Sequence, residues 1–262
     1  MSPGFTATRL ACLRETLSRH VAGGDVPGLV ALVSRRGETH VEAIGMQAVG
    51  GVPMKRDTIF RISSMTKPIT AAATMILVEE CRLRLDEPVD RLLPELADRR
   101  VLRSLEGPLD DTVPAHRPIS VRDLLTFRSG HGAVMVWPAK YPIQKAAEAA
   151  GVAPGPDQLD IPPDEYMKRL GSLPLIHQPG ERWLYHTGSD VLGVLIARAS
   201  GQDFGTFLEE RLFGPLGMKD TSFYPTEDMI GRLASAYRKN ADGKLEKTAI
   251  SFLGGKSLSD RN

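Results

Sequence analysis

Asp57-Thr58-Ile59-Phe60-Arg61-Ile62-Ser63-Ser64-Met65-Thr66-Lys67-Pro68 is the stretch whose reading decides the fold. An apolar run, Ile69 to Val78, follows it, and Ala71, Ala72 and Ala73 are good helix formers. Serine favours helix starts, and proline is tolerated in a first turn. The pattern therefore predicts a helix with Ser64 at its N-terminus. Lys67 falls three residues on, on the same side of that helix. A serine hydroxyl is a weak nucleophile until a neighbouring base takes its proton, and a lysine amine is one candidate partner. A helix N-terminus adds N–H groups and partial positive charge where an oxyanion would form. The tetrapeptide Ser64-Met65-Thr66-Lys67 alone also fits an ordinary solvated helix face, so the rest of the chain has to decide.

The chain has 262 residues, 42% of them hydrophobic and 25% charged, enough to bury a full core. Its net charge of +1 offers no electrostatic reason to expect nucleic acid or an anionic membrane as partner. Cys12 and Cys81 are the only cysteines and are expected to be free and buried, which excludes a cysteine-based zinc site. The six histidines are scattered and form no H-E-x-x-H. No metal or cofactor is expected. His186 neighbours Tyr185 and, in extended chain, would point away from it. There is no basic-then-apolar leader and no apolar run of membrane-spanning length, so a cytoplasmic protein is expected.

Before the Ser64 stretch, Leu10, Leu13, Leu17 and Val21 predict an amphipathic helix over 8–22. Leu29–Ser34 and Thr39–Ile44 predict a β-hairpin across Arg35-Arg36-Gly37-Glu38. After it, prolines break 83–96 into short turns, and 97–118 reads as a polar surface excursion. Ser120 caps a short helix stopped by Ser129-Gly130. Helices are predicted over 140–151, 163–170, 189–199 and 204–212, the last stopped by Gly214-Pro215. A final pair, 235–238 and 244–247, would meet across Asn240-Ala241-Asp242-Gly243. Strands flanking a helical middle argue for an α/β domain with a helical insertion.

Several separated segments resemble the class C β-lactamase superfamily, most closely the family VIII carboxylesterases. They are Asp57–Lys67; Leu85-Asp86-Glu87-Pro88-Val89; Ser120–Thr126 with Ser129-Gly130; Pro179–Tyr185 through Leu192-Gly193; and Leu212-Phe213-Gly214-Pro215-Leu216-Gly217-Met218. Order and spread make the set far more specific than S-x-x-K alone. The resemblance implies an α/β, β-lactamase/transpeptidase-like fold: an antiparallel sheet flanked by helices, with an all-helical subdomain. It implies one partial domain over 1–262, divided into a nucleophile-bearing segment 1–82, a mostly helical 83–234 and an incomplete 235–262. It makes Ser64 the acylated nucleophile, Lys67 its proton partner, Tyr185 the general base and the Ser64 N–H one oxyanion donor.

Two departures shape the expected function. Tyr185-His186-Thr187 stands where the β-lactamase pattern has tyrosine-x-asparagine, and threonine offers no amide fork. That tilts the expectation from β-lactams to carboxylic esters, with β-lactam hydrolysis, penicillin binding or a catalytically dead remnant as alternatives. No lysine-threonine-glycine occurs; Lys247-Thr248-Ala249 is the nearest. The chain is therefore expected to lack the family's C-terminal strands and to expose Leu29–Val33 as a sheet edge open to self-association. The expected partner is a small ester or β-lactam, with neither nucleic acid nor membrane.

Overall fold

The computed structural model describes residues 4–155 and 161–248. They fall into two compact units. One is made of residues up to 61 together with 224–248. In it, helix α1 (Ala7–Ala22) is capped by the Thr6 hydroxyl, which accepts from the Arg9 N–H. Leu10, Leu13, Leu17 and Val21 are its half-buried stripe, as the periodicity predicts. Strands β1 (Gly28–Arg35) and β2 (Glu38–Gly45) pair antiparallel from Gly28 opposite Gly45 to Arg35 opposite Glu38. Only Arg36 and Gly37 lie in the loop, both with positive φ (54° and 79°), the mirror-image turn whose twist matches paired strands.

The other unit runs from Ile62 to Phe223. Helix α2 (Thr66–Glu79) carries Thr70, Ala73, Thr74 and Leu77 on its buried face. It is followed by the expected short turns at Val89–Arg91 and Pro94–Leu96. Strands β3 (Arg100–Leu102) and β4 (Thr112–Pro114) then form a second antiparallel pair. This corrects the expected surface excursion: Val101 and Leu102 are buried, so a short apolar pair inside a polar stretch was enough to anchor it. Helices α3 (Val121–Leu125), α4 (Pro142–Ala149), α5 (Pro163–Gly171) and α6 (Thr187–Ser200) follow. The Ser120 hydroxyl accepts from the Asp123 N–H while the Asp123 carboxylate accepts from the Ser120 N–H, closing a capping box. Arg117 grips the same carboxylate at 2.6 and 2.9 Å, holding Asp123 below the usual carboxylate range despite its burial. α7 (Phe204–Leu208) continues through a π-turn at Glu209–Phe213 into α8 (Gly214–Leu216). The expected stop at Gly214-Pro215 is thus one turn early, because Pro215 sits in a first turn, where it needs no N–H.

α2, α3, α5, α6 and α7 meet in one apolar core that includes Leu77, Leu124, Tyr166, Met167, Leu195 and Phe207. Gly188 lets α6 lie close against α3: a Cβ there would stand 2.6 Å from the Leu124 carbonyl oxygen. In the first unit, α9 (Glu227–Ile230) precedes β5 (Tyr237–Lys239) and β6 (Leu245–Lys247), the hairpin expected across Asn240–Gly243. Among the described residues the strands form three separate two-stranded antiparallel ladders. Both cysteines are free but exposed, contrary to expectation. Cys12 lies beside the α1 stripe, not on it, and Cys81 sits in the turn after α2 at φ 57°. Among the described residues no helix is long and apolar enough to cross a membrane. The Gly254–Asn262 tail lies outside them.

Candidate active site

The segment Ser63–Met65 is one turn of 3-10 helix, and Thr66 begins α2 directly after it. Ser64 therefore stands at the helix N-terminus, as its place before the apolar run predicts, and is the middle residue of this tighter turn. Its hydroxyl is left free for chemistry, and it stands exposed. Ser63 takes a left-handed φ of 42°, a conformation that costs energy for a residue with a side chain and that concentrates at functional sites. Lys67 and Pro68 fall in the first turn of α2, where proline is harmless.

Tyr185 arrives from another part of the same unit. Its strand-like approach is tied to the loop after α3 by Leu184 N–H to Phe127 O at 2.8 Å and Ala133 N–H to Tyr185 O at 2.9 Å. Directly behind it, His186 adopts φ 88°, ψ −79°, a strained tight turn from which α6 starts. The His186 ring holds that turn, with Nδ1 at 3.0 Å from Asp190 Oδ2 and Nε2 at 2.7 Å from the Gly155 carbonyl. The Asp190 carboxylate raises the His186 pKa above its ordinary value. Both ring nitrogens are thus engaged away from Ser64, although the backbone there is not the extended chain that the alternation argument assumed.

The three predicted residues meet. Lys67 Nζ donates to Ser64 Oγ at 3.0 Å, and the Tyr185 hydroxyl lies 2.7 Å from the same oxygen. Lys67 Nζ also stands 4.5 Å from the centroid of the Tyr185 ring. Hydrogen bonds from Ser64 and Lys67, together with the ammonium charge, pull the Tyr185 pKa below 10.0. Such a tyrosine is better placed than a free phenol to lose its proton and then return it.

Two neighbours were not anticipated. The Trp183 ring stacks on Tyr185 at 5.6 Å between centroids and 25° between planes. Phe127 meets the same tyrosine at 5.8 Å. Trp183 is 57% exposed, so its ring supports Tyr185 while much of it still faces solvent. The signal was present: residues two apart in extended chain share a face. Thr187, by contrast, is buried at the start of α6.

Residues 13–251 match the family model described as Beta-lactamase. This chain belongs to the β-lactamase family. It is 41% identical over 224 residues to an uncharacterized protein of Mycobacterium tuberculosis (strain CDC 1551 / Oshkosh), covering 85% of this chain and 54% of that one. It is 37% identical over 202 residues to esterase EstB of Burkholderia gladioli, 76% of this chain and 48% of that one. Among solved structures, EstCE1, described as a hydrolase with promiscuous acyltransferase activity, superposes with a TM-score of 0.77 at 27% identity, over 92% of this chain and 60% of that one. The chain spans about half the length of the relatives it matches. Membership agrees with the small antiparallel ladders and helical core described above.

Proposed function

We propose that this chain carries the acylation centre of a serine hydrolase acting on carboxylic esters, with Ser64 as nucleophile, Tyr185 as general base and acid, and Lys67 as the cation that favours the Tyr185 phenolate. The observation that carries this reading is the convergence of Lys67 Nζ and the Tyr185 hydroxyl on one exposed oxygen, Ser64 Oγ, at 3.0 and 2.7 Å. The Tyr185 phenolate takes the Ser64 proton as Oγ bonds to the ester carbonyl carbon. The tetrahedral oxyanion then collapses, the C–O bond to the alcohol breaks, and the departing oxygen takes the proton from the Tyr185 hydroxyl. Water, or a second alcohol, repeats the steps in reverse order to free the acyl group. The names of the similar proteins, an esterase and a hydrolase that also transfers acyl groups, support esters as the substrate class. The burial of Thr187 supports it too, since an amide-recognising side chain would have to reach the exposed Ser64. The intact convergence weighs against a dead remnant.

A fluorophosphonate probe followed by intact and peptide mass analysis tests the assignment. The adduct is expected on the peptide holding Ser64, unaffected by Ser63→Ala and abolished by Ser64→Ala. Labelling that survives Ser64→Ala would overturn it.

A further inference from the structure

A cavity of about 70 Å³ lies inside the Ile62–Phe223 unit, and neither Ser64, Lys67 nor Tyr185 lines it. Its walls are apolar, with Ile143, Val152, Leu170 and Ile176 among them. Trp137 and Glu148 line it as well and are exposed, so they form its rim. A single water needs about 10–15 Å³ of such volume, so there is room for several waters or for an organic molecule of about five non-hydrogen atoms.

The polar side chains lining this space are Gln144, His131, the buried Thr187 at the start of α6 and Glu148 at the rim. Gln144 lines it, but its amide nitrogen donates to the carbonyls of Val134 and Val136 at 3.1 and 2.9 Å. Its amide oxygen accepts from the Lys140 and Tyr141 N–H groups. His131 differs. It is 5% exposed, it lines the cavity, and its Nε2 has no hydrogen-bond partner among the described residues. Buried nitrogens are seldom left this way, because the lost hydrogen bonds to water are not replaced.

Charge narrows the ligand. Burial and the nearby Arg99 cation keep the His131 imidazole neutral, with a pKa lowered to about 3. A neutral imidazole either accepts or donates at Nε2 according to its tautomer, and a hydroxyl can meet both. A cationic ligand would face the field of Arg99, and an anionic one would lose its hydration among mostly apolar walls with a neutral imidazole to meet it. We propose that this cavity is a binding site for a small, uncharged, mostly apolar molecule bearing one hydroxyl or carbonyl oxygen, which pairs with His131 Nε2.

The test uses the 262-residue chain and a matched pair of five-heavy-atom probes, 2-methyl-1-propanol and 1-chloro-2-methylpropane. Binding is followed by NMR at the Trp137 indole, one of only two in the chain, and at the His131 ring nitrogens. The chloride is the more apolar, so a purely apolar hole would prefer it. The alcohol is expected to bind saturably and at least as tightly, with the Nε2 resonance moving for the alcohol alone. His131→Leu should weaken the alcohol roughly tenfold, the usual scale of one net hydrogen bond, while leaving the chloride as tight or tighter. His131→Gln, which keeps a polar tip, should retain the alcohol. 2-Methylpropanoate should not bind. A tighter chloride, an alcohol indifferent to His131→Leu, an equally tight 2-methylpropanoate, or no saturable shift, as for a hole holding only water, would each overturn the proposal. Should His131→Leu fail to fold, an Nε2 resonance of the wild-type chain that ignores the alcohol is decisive by itself. Repeating the titration in Ser64→Ala separates this site from the acylation centre, since the binding should persist there.

Discussion

Acid should unfold this protein partly through one residue, His131. Burial and the nearby Arg99 cation lower its pKa in the folded protein to about 3, from the 6.5 of an ordinary histidine. The sign follows from proton uptake. Below about pH 6.5 the unfolded chain binds a proton at this histidine and the folded chain does not, so stability falls with pH across that window and levels off near the folded value. One pH unit corresponds to about 1.36 kcal/mol, so the loss is about 2 kcal/mol by pH 5 and approaches about 5 kcal/mol at full extent. A whole domain is stable by only about 5–15 kcal/mol. His131→Leu removes the proton acceptor and keeps an apolar group of similar size in an apolar surrounding. Urea midpoints of both proteins, taken from about pH 7 down to about pH 4, give the difference directly. Carboxylates titrate in both proteins and cancel in the comparison, as does the His186–Asp190 pair. The gap between variant and wild type should change in the variant's favour by about 3 kcal/mol over that range. Parallel curves would refute the reasoning, for they would mean that His131 takes up its proton while folded.

Other outcomes follow from the geometry. Tyr185→Phe should lower kcat on a short p-nitrophenyl ester by about 10²-fold or more, the scale of losing a positioned base. With the Tyr185 phenolate as the proposed base, the wild-type rate should rise with pH through a value below 10.0, and Lys67→Gln should move that limb to higher pH. Gly188→Ala places a Cβ against the Leu124 carbonyl at 2.6 Å and must push α6 from α3. It should cost about 1–3 kcal/mol, read as a lower melting temperature. β1 pairs only with β2 among the described residues, and Leu32 in it is 60% exposed. Light scattering after size-exclusion chromatography should show concentration-dependent self-association that Leu32→Lys reduces, since a lysine on an edge strand opposes pairing.

Much of this was legible because the relevant physics is local. The α1 stripe, the turn across Arg35–Glu38 and the Ser120 cap are each decided within a few residues of sequence. The approach of Tyr185 to Ser64, 121 residues away, is not. It was found only because the flanking segments resemble a family that places them together. What stayed hidden depends on solvent and on distant partners. Val101 is buried by elements far along the chain, so its polar neighbours argued wrongly for a surface loop. The cysteines were misjudged because their type favours burial while their positions, off the stripe and past a helix end, do not. Ser64 stands at the start of its helix as expected, but in a turn of a kind the residues did not reveal. One 3-10 turn precedes α2, and nothing in the residue types separates that turn from a first α-helical turn.

Ser64, Lys67 and Tyr185 all belong to the unit spanning 62–223. The reactivity of Ser64 towards an acylating probe therefore reports on that unit. Tyr185 comes within 2.7 Å of the serine only while the α3 loop, the strained turn at His186 and the α6 start hold together. A serine with no neighbouring base reacts slowly, so the rate of labelling during a denaturant ramp is a clock for the integrity of this one region, readable by mass in a mixture. Set beside the fluorescence of an environment-sensitive dye attached to Cys12 of α1 in a Cys81→Ser chain, it would show whether the two units lose their structure at one denaturant concentration or at two.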